Sequence, residues 1–281
     1  MPDIPNVGLP AGVNRISLGV QSFDDGCLQR LGRIHDSGEA EAAVKLAQDA
    51  GLDNINLDLM YALPGQTPDM AVRDVERAVA LAPAHISHYQ LTLEPNTLFA
   101  ARPPGGLPDE DQAWDMQERC QALLAEAGYA QYEVSAYARP GRQCAHNLNY
   151  WRYGDYLGIG AGAHGKLTLG AEQAILRRWK LRHPAAYMAA AGTAGAIGGE
   201  ERVTPDQRPF EFMLNALRLV EGFSLDAFEA RTGLGRDAIA TGLAQAAGRG
   251  WLEVGGDRVR PTALGRRFTN DVIALFLHDG P

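Results

Sequence analysis

The sequence predicts an α/β fold, a parallel sheet covered by helices, followed by a small helical domain with a two-strand wing. Three observations carry that reading. The first half repeats a unit of short apolar strand, polar turn and amphipathic helix, which is how a helix-covered parallel sheet reads in sequence. From Pro205 onward the pattern changes to successive helices and one short hairpin. Finally, 281 residues at 46% hydrophobic content suffice for one large domain and a small one.

Taken in order, 15–20 (RISLGV), 54–60 (NINLDLM) and 85–91 (HISHYQL) are the first strands, each bounded by Gly, Pro or Asn. Residues 39–50 place Ala43, Val44, Ala47 and Ala50 on one stripe, and 69–81 do the same with Val72, Val75 and Val79, so both helices should cover the sheet. Residues 108–127 continue the pattern with Ala113, Met116, Cys120, Leu123, Leu124 and Ala127, which makes Cys120 a core residue. A further strand is expected around Tyr132–Ser135, ahead of the polar, Gly-rich segment CAHNLNYWRYGDYLGIGAGAHG. A basic stretch (RRWKLRH) and a run of small residues ending near Glu201 then read as a linker. The domains expected are therefore 1–200 and 201–281. In the second, Phe210, Met213, Leu214 and Leu217 form a helical stripe, WLEVGGDRVRP is a hairpin turning at Gly-Gly-Asp, and a last helix runs through Phe268 and Leu275.

Charge and cysteine usage exclude several function classes. A formal net charge of −8 opposes a broad nucleic-acid surface, which needs concentrated Lys and Arg. Five arginines of the hairpin region (Arg249, Arg258, Arg260, Arg266, Arg267) face only Glu253 and Asp257, yet 206–281 as a whole is near neutral, so the wing is expected to be a solvated or docking face and no nucleic-acid partner is expected. Neither the opening MPDIPNVGLP nor any later stretch has the form of a signal or membrane-spanning segment, and a cytoplasmic location is expected. The three cysteines, Cys27, Cys120 and Cys144, are distant from one another and contain no CxxC, so this chain provides no metal ligand set. Cys144 stands two residues before His146, but two ligands do not make a zinc site.

In parallel α/β sheets ligands gather at the carboxyl ends of strands. Gln21 ends the first strand, Asp58 lies late in the second, Thr92 follows the third, and Arg33 is expected on the helical segment after the first. Arg33 suits a ligand carboxylate and Asp58 can accept both hydroxyls of a ribose, while Gln21 can complete either contact. Such residues also satisfy neighbouring backbone groups, and on residue types alone both roles stand.

The strings GVNRISLGVQSFDD, LGRIH, NLDLMYALPGQTP, HISHYQLTLEPNT and YEVSAYARPG, in that order, resemble the oxygen-independent coproporphyrinogen III oxidase-like radical-SAM family, and most its haem-chaperone branch. The resemblance covers nearly the whole chain. It implies a partial (β/α) barrel of parallel strands plus a small winged-helix-like domain, with S-adenosyl-L-methionine held by Gln21, Arg33 and Asp58, and with Thr92 and His164 of GIGAGAHG as further pocket positions. It also implies a 4Fe-4S cluster whose three cysteines precede the residues matching the start of this chain, so the chain is expected to lack that amino-terminal region and to hold no cluster alone. Ala62 stands where a Gly is common in the family.

The segment HNLNYW is the second signal. His146, Asn147, Tyr150 and Trp151 combine an imidazole, a ligand type common on haem iron, with aromatic rings that pack on a flat macrocycle. A histidine among aromatics is also a common hydrogen-bonded structural residue. The string resembles one characteristic of the chaperone branch. The resemblance thus implies a haem or porphyrin ligand, delivery to an apo-haemoprotein and peripheral association with membrane haem enzymes. The other activity it implies is oxidative decarboxylation of coproporphyrinogen III. No catalytic residue is assigned.

Overall fold

The computed structural model describes residues 12–277. It divides between residues 143 and 144 into two compact units.

The first unit is the helix-covered sheet that the strand-helix repeat predicts. Strand β1 (Ile16–Gln21) leads through α1 (Asp25–Arg30) and α2 (Ser37–Asp49) to β2 (Ile55–Tyr61). Helix α3 (Pro68–Ala80) leads to β3 (His85–Gln90), and α4 (Leu98–Ala101) and α5 (Glu110–Glu126) precede β4 (Ala130–Glu133) and β5 (Ala136–Ala138). The helix starts are written in the sequence: Asp36 with Glu39 and Asp109 with Gln112 form capping boxes, and Thr67 caps α3 ahead of Pro68.

Strand order is β1-β2-β3-β5-β4. The first three strands are parallel, but β5 runs antiparallel to both β3 and β4. The single strand expected around Tyr132–Ser135 is thus a tight hairpin, which returns the chain at once and forbids a parallel crossover. Leu57, Leu59, Ile86, Val44, Val75, Met116, Cys120 and Leu124 are buried in one core between sheet and helices, each contributing about 1.5–3 kcal/mol for the larger side chains. The expected core role of Cys120 holds. The other face of β2 carries Asn56 and Asp58.

The second unit opens with α6 (Ala145–Trp151). Strands β6 (His164–Leu169) and β7 (Ala174–Lys180), then α7 (Pro184–Ala190) and β8 (Ile197–Val203), build an antiparallel sheet of order β6-β7-β8. The small-residue stretch expected as a linker is therefore structured. Its glycines suit a strand crossed by a large neighbour: a Cβ on Gly199 would fall 2.4 Å from the Trp179 ring.

The winged-helix-like module follows. It comprises α8 (Arg208–Ala216), β9 (Phe223–Ser224), α9 (Leu225–Thr232), α10 (Asp237–Gly248), the wing strands β10 (Leu252–Gly255) and β11 (Arg258–Pro261), and α11 (Ala263–Arg267) with α12 (Thr269–Ala274) in place of one last helix. The sheet order is β10-β11-β9. Phe212 sits at its centre, edge-on to Tyr153, Phe223 and Phe228. Gly222, at φ 67°, has no alternative there, because a Cβ would lie 1.9 Å from the Val259 carbonyl oxygen. Two wing arginines, both exposed, bond nearby backbone: Arg258 donates to the Glu221 carbonyl and Arg260 to that of Val220.

Candidate functional site

The polar residues of the first unit collect on the face of the sheet turned away from the helices, because alternation along each strand sends every second side chain there. The register aligns Ser17 with Asn56 and His85, and Asp58 with Ser87. Asn56 is the hub. Its Nδ2 donates to Asp58 Oδ1 at 2.8 Å and to Ser17 Oγ at 3.2 Å, while Ser87 Oγ donates to its Oδ1 at 3.0 Å. His85 Nδ1 is 2.6 Å from the same oxygen and its Nε2 is 2.9 Å from Tyr132 OH. Burial, with Arg15 adding to it, pushes the His85 imidazole down to about 4, so it is neutral at physiological pH.

At the strand ends this network opens to groups with spare capacity. Asp58 is half-buried and also bonds Tyr89, whose phenol is held well above its usual range by burial and by that carboxylate; the Arg33 guanidinium is close enough to offset part of the effect. The chain turns sharply at Gln21, at φ 66°, and folds its amide over Gly19, where a Cβ would come within 2.8 Å of Nε2. Among the described residues no hydrogen bond engages the side chains of Gln21 or Arg33. Arg33 is not on a helix: α1 ends at Arg30, and Arg33 lies in the turn beyond, its backbone N–H bonded to the Leu28 carbonyl.

The loop after β1 is braced from the helix side. Asp74 of α3, 3% exposed, accepts from Ser22 Oγ and from the Phe23 backbone N–H, both at 2.7 Å, and from Gln66 Nε2 at 3.2 Å. Burial is the main cause of a carboxyl pushed up to about 6. The turn after β2 needs a left-handed residue, and Ala62 occupies it at φ 59°, which explains why glycine suits that position better.

Gln21, Arg33 and Asp58 are thus brought to one end of one sheet face. Thr92 lies beyond, on the loop after β3, exposed and donating to Glu94 Oε1 at 2.9 Å. His164 lies in the second unit at the start of β6. Sequence reasoning missed Asn56, His85 and Tyr89. Their signal was available: Asn56 and Asp58 recur every second residue in an otherwise apolar strand, and His85, Ser87 and Tyr89 do so in the next.

In the second unit α6 divides the HNLNYW residues between two faces. His146 and Tyr150, four apart, stack edge-on at 4.7 Å, and Tyr150 meets Tyr156 at 4.4 Å. His146 is exposed and Asn147 half-buried. On the other side Trp151 lies 5.0 Å from the Arg218 guanidinium, with its Nε1–H buried and lacking an acceptor. An imidazole standing free at the end of an aromatic row can approach a planar ligand; the unpaired indole N–H costs about 1–3 kcal/mol as it stands.

The cofactors implied by the resemblance fit unequally. An amide, a carboxylate and a guanidinium with spare hydrogen-bonding capacity fit an amino-acid nucleoside. The cysteines do not fit a cluster: Cys27 and Cys120 are fully buried, with thiols pushed up to about 11 and about 12, and no group of three His, Cys, Asp or Glu able to hold a metal occurs among the described residues. No helix among those residues is long and apolar enough to cross a membrane.

Comparison with known proteins bears on both units. Residues 9–78 match the Radical SAM superfamily and residues 203–268 the HemN C-terminal domain. Over 95% of its length the chain is 50% identical to the Escherichia coli protein named "Heme chaperone HemW", spanning 69% of that protein, and 49% identical to its namesake from Haemophilus influenzae, spanning 68%. Among solved structures, coproporphyrinogen III oxidase (HemN) from Escherichia coli, described as a radical SAM enzyme, superposes with a TM-score of 0.76 at 23% identity; the match covers 96% of this chain and 66% of that one. At that identity the likeness is one of fold.

Proposed function

The chain belongs to the heme chaperone HemW family of the radical-SAM superfamily, and on that premise we propose that it binds haem and passes it to an apo-haemoprotein. The observation that carries this reading is 50% identity to a haem chaperone along 95% of the chain, against 23% to the oxidase. The exposed His146 at the end of the Tyr150–Tyr156 row supports an imidazole ligand to haem iron from α6, with Asn147, Tyr150 and Trp151 as further haem-contacting candidates. The functional division falls near residue 200, with the winged-helix-like module serving as a docking surface for the recipient. Peripheral association with membrane haem enzymes would bring such a carrier to its acceptors.

At the strand ends of the first unit Asp58 would take the ribose hydroxyls of S-adenosyl-L-methionine, Arg33 its carboxylate, and Gln21 one of the remaining polar groups, with Thr92 as a further candidate. Bound there, the molecule supplies a sulfonium whose reductive activation needs an iron-sulfur cluster. The cysteines of this chain provide no such cluster. What its own residues do is orient: the Asn56 network fixes the Asp58 carboxylate, and the Asp74 brace fixes the turn carrying Gln21.

The test is a haem titration of the chain followed by absorbance. Binding with a displaced Soret band, weakened in His146→Ala, is the expected result. No binding by the chain would overturn the carrier reading; anaerobic turnover of coproporphyrinogen III by a full-length version would favour the oxidase.

A further inference from the structure

One cleft of the second unit combines features that neither α6 nor the strand-end site uses. It is a cavity of about 860 Å³ lined by His164, Trp179, Lys180 and Arg182, with Gly162 and Gly198 among its walls, a volume within the ~300–1,000 Å³ of small-molecule sites. The register sets His164 opposite Trp179 and Trp179 opposite Gly199, one row across three strands. With no side chain at Gly198 or Gly199, the indole lies against β8 on one side. On the other, the His164 ring is nearly parallel to it, 28° between planes and 6.1 Å between centroids. The result is a flat aromatic wall fixed by the backbone of its neighbour.

Charge distinguishes this wall from an ordinary surface tryptophan. The segment RRWKLR carries four cations. Arg177 is paired with Glu211 at 2.6 Å and Arg178 with Glu200 at 2.9 Å. Lys180 and Arg182 make no ion pair among the described residues, and both line the cleft. In a chain of net charge −8, two uncompensated cations beside an aromatic wall are a site for anionic groups on an aromatic ligand. The loop leading into β6 adds apolar surface: Leu157 is 74% and Ile159 85% exposed. That loop is held to α7 by the Gly160 N–H, which donates to Tyr187 OH at 3.2 Å.

We propose that this cleft receives the carboxylated edge of a tetrapyrrole. The exposed His164 ring, stacked on Trp179, packs on the macrocycle, and Lys180 and Arg182 pair with its two carboxylates. The inference rests on the haem reading but assigns a contact separate from α6 and independent of iron.

It is tested with iron-free protoporphyrin IX and its dimethyl ester, titrated into the chain and followed by porphyrin fluorescence. Binding of the diacid about ten-fold tighter than the ester is expected, with the preference lost in a Lys180→Glu, Arg182→Glu double variant and in the milder Lys180→Gln, Arg182→Gln pair. The same charge change at Lys45 and Arg73 of the first unit should keep it. Retention of the preference in both cleft variants, with circular dichroism unchanged, would overturn the proposal and leave the haem reading standing. Failure of the unaltered chain to bind haem or protoporphyrin would remove both.

Discussion

The first unit buries carboxyl groups and neutral polar side chains, whereas the second buries cations. In the first, Asn56, His85, Ser87 and Tyr132 satisfy one another along a sheet face. In the second, Lys166 is 1% exposed, its Nζ donating at 3.0 Å to both the Tyr153 carbonyl and Asp155 Oδ1 and lying 4.0 Å from the Tyr153 ring centre. Arg208 is buried against the carbonyls of Val203, Thr232 and Gln173. The difference is one of sign and not of size, since each unit also holds an apolar core of similar extent.

The largest effect should come from the aromatic centre of the second unit. Phe212→Ala removes a fully buried ring with three edge-on partners and should destabilise that unit by about 3–5 kcal/mol, read as a lower urea midpoint for its transition. A shift confined to the first unit's transition would contradict the division drawn here.

Next comes the charged fastening. Lys166→Ala should cost about 3 kcal/mol and Lys166→Met markedly less, because methionine refills the volume without a charge to desolvate. Burial already holds the Lys166 ammonium below its usual range. Equal losses in both variants would mean that the ion pair, not the packing, fixes this sheet.

The brace of the first unit makes the contrast depend on pH. Asp74 is raised in the folded state to about 6 from 3.8, so its contribution is fully present below pH ~3.8 and is lost as pH rises through about 6. His85 and His88, lowered to about 4, act in the opposite sense, losing stability as pH falls from 6.5 toward 4. The Asp74 contribution is therefore isolated as the stability of the chain minus that of Asp74→Asn, which should fall by about 2–3 kcal/mol between pH 4 and pH 7. A flat difference would mean the carboxyl titrates normally.

The smallest effect concerns the turn after β2. Ala62→Gly should raise stability by roughly 0.5 kcal/mol, since relief of the left-handed strain exceeds the added freedom of the unfolded chain. A destabilised variant would show that the Ala62 methyl packs more than it strains.

Much of this was legible in the sequence, and the rest was not, for identifiable reasons. The strands at RISLGV, NINLDLM and HISHYQL, the helices after them and the Gly-Gly-Asp wing follow from periodicity and capping, which act over a few residues. So does the buried Cys120. Gln21, Arg33 and Asp58 could be chosen because strand ends are where sheets of this kind place ligands. The antiparallel turn of β5, the strand made from small residues at 197–203 and the position of Arg33 beyond α1 depend on partners far along the chain. Glycines read as a linker become a strand only when Trp179 is there to cover them, and a basic run becomes a cleft only when Glu211 and Glu200 neutralise half of it. Local sequence decides the strongly patterned segments; which weakly patterned ones become strands, and which charges remain uncompensated, is decided by distant contacts, and tertiary structure alone supplies those.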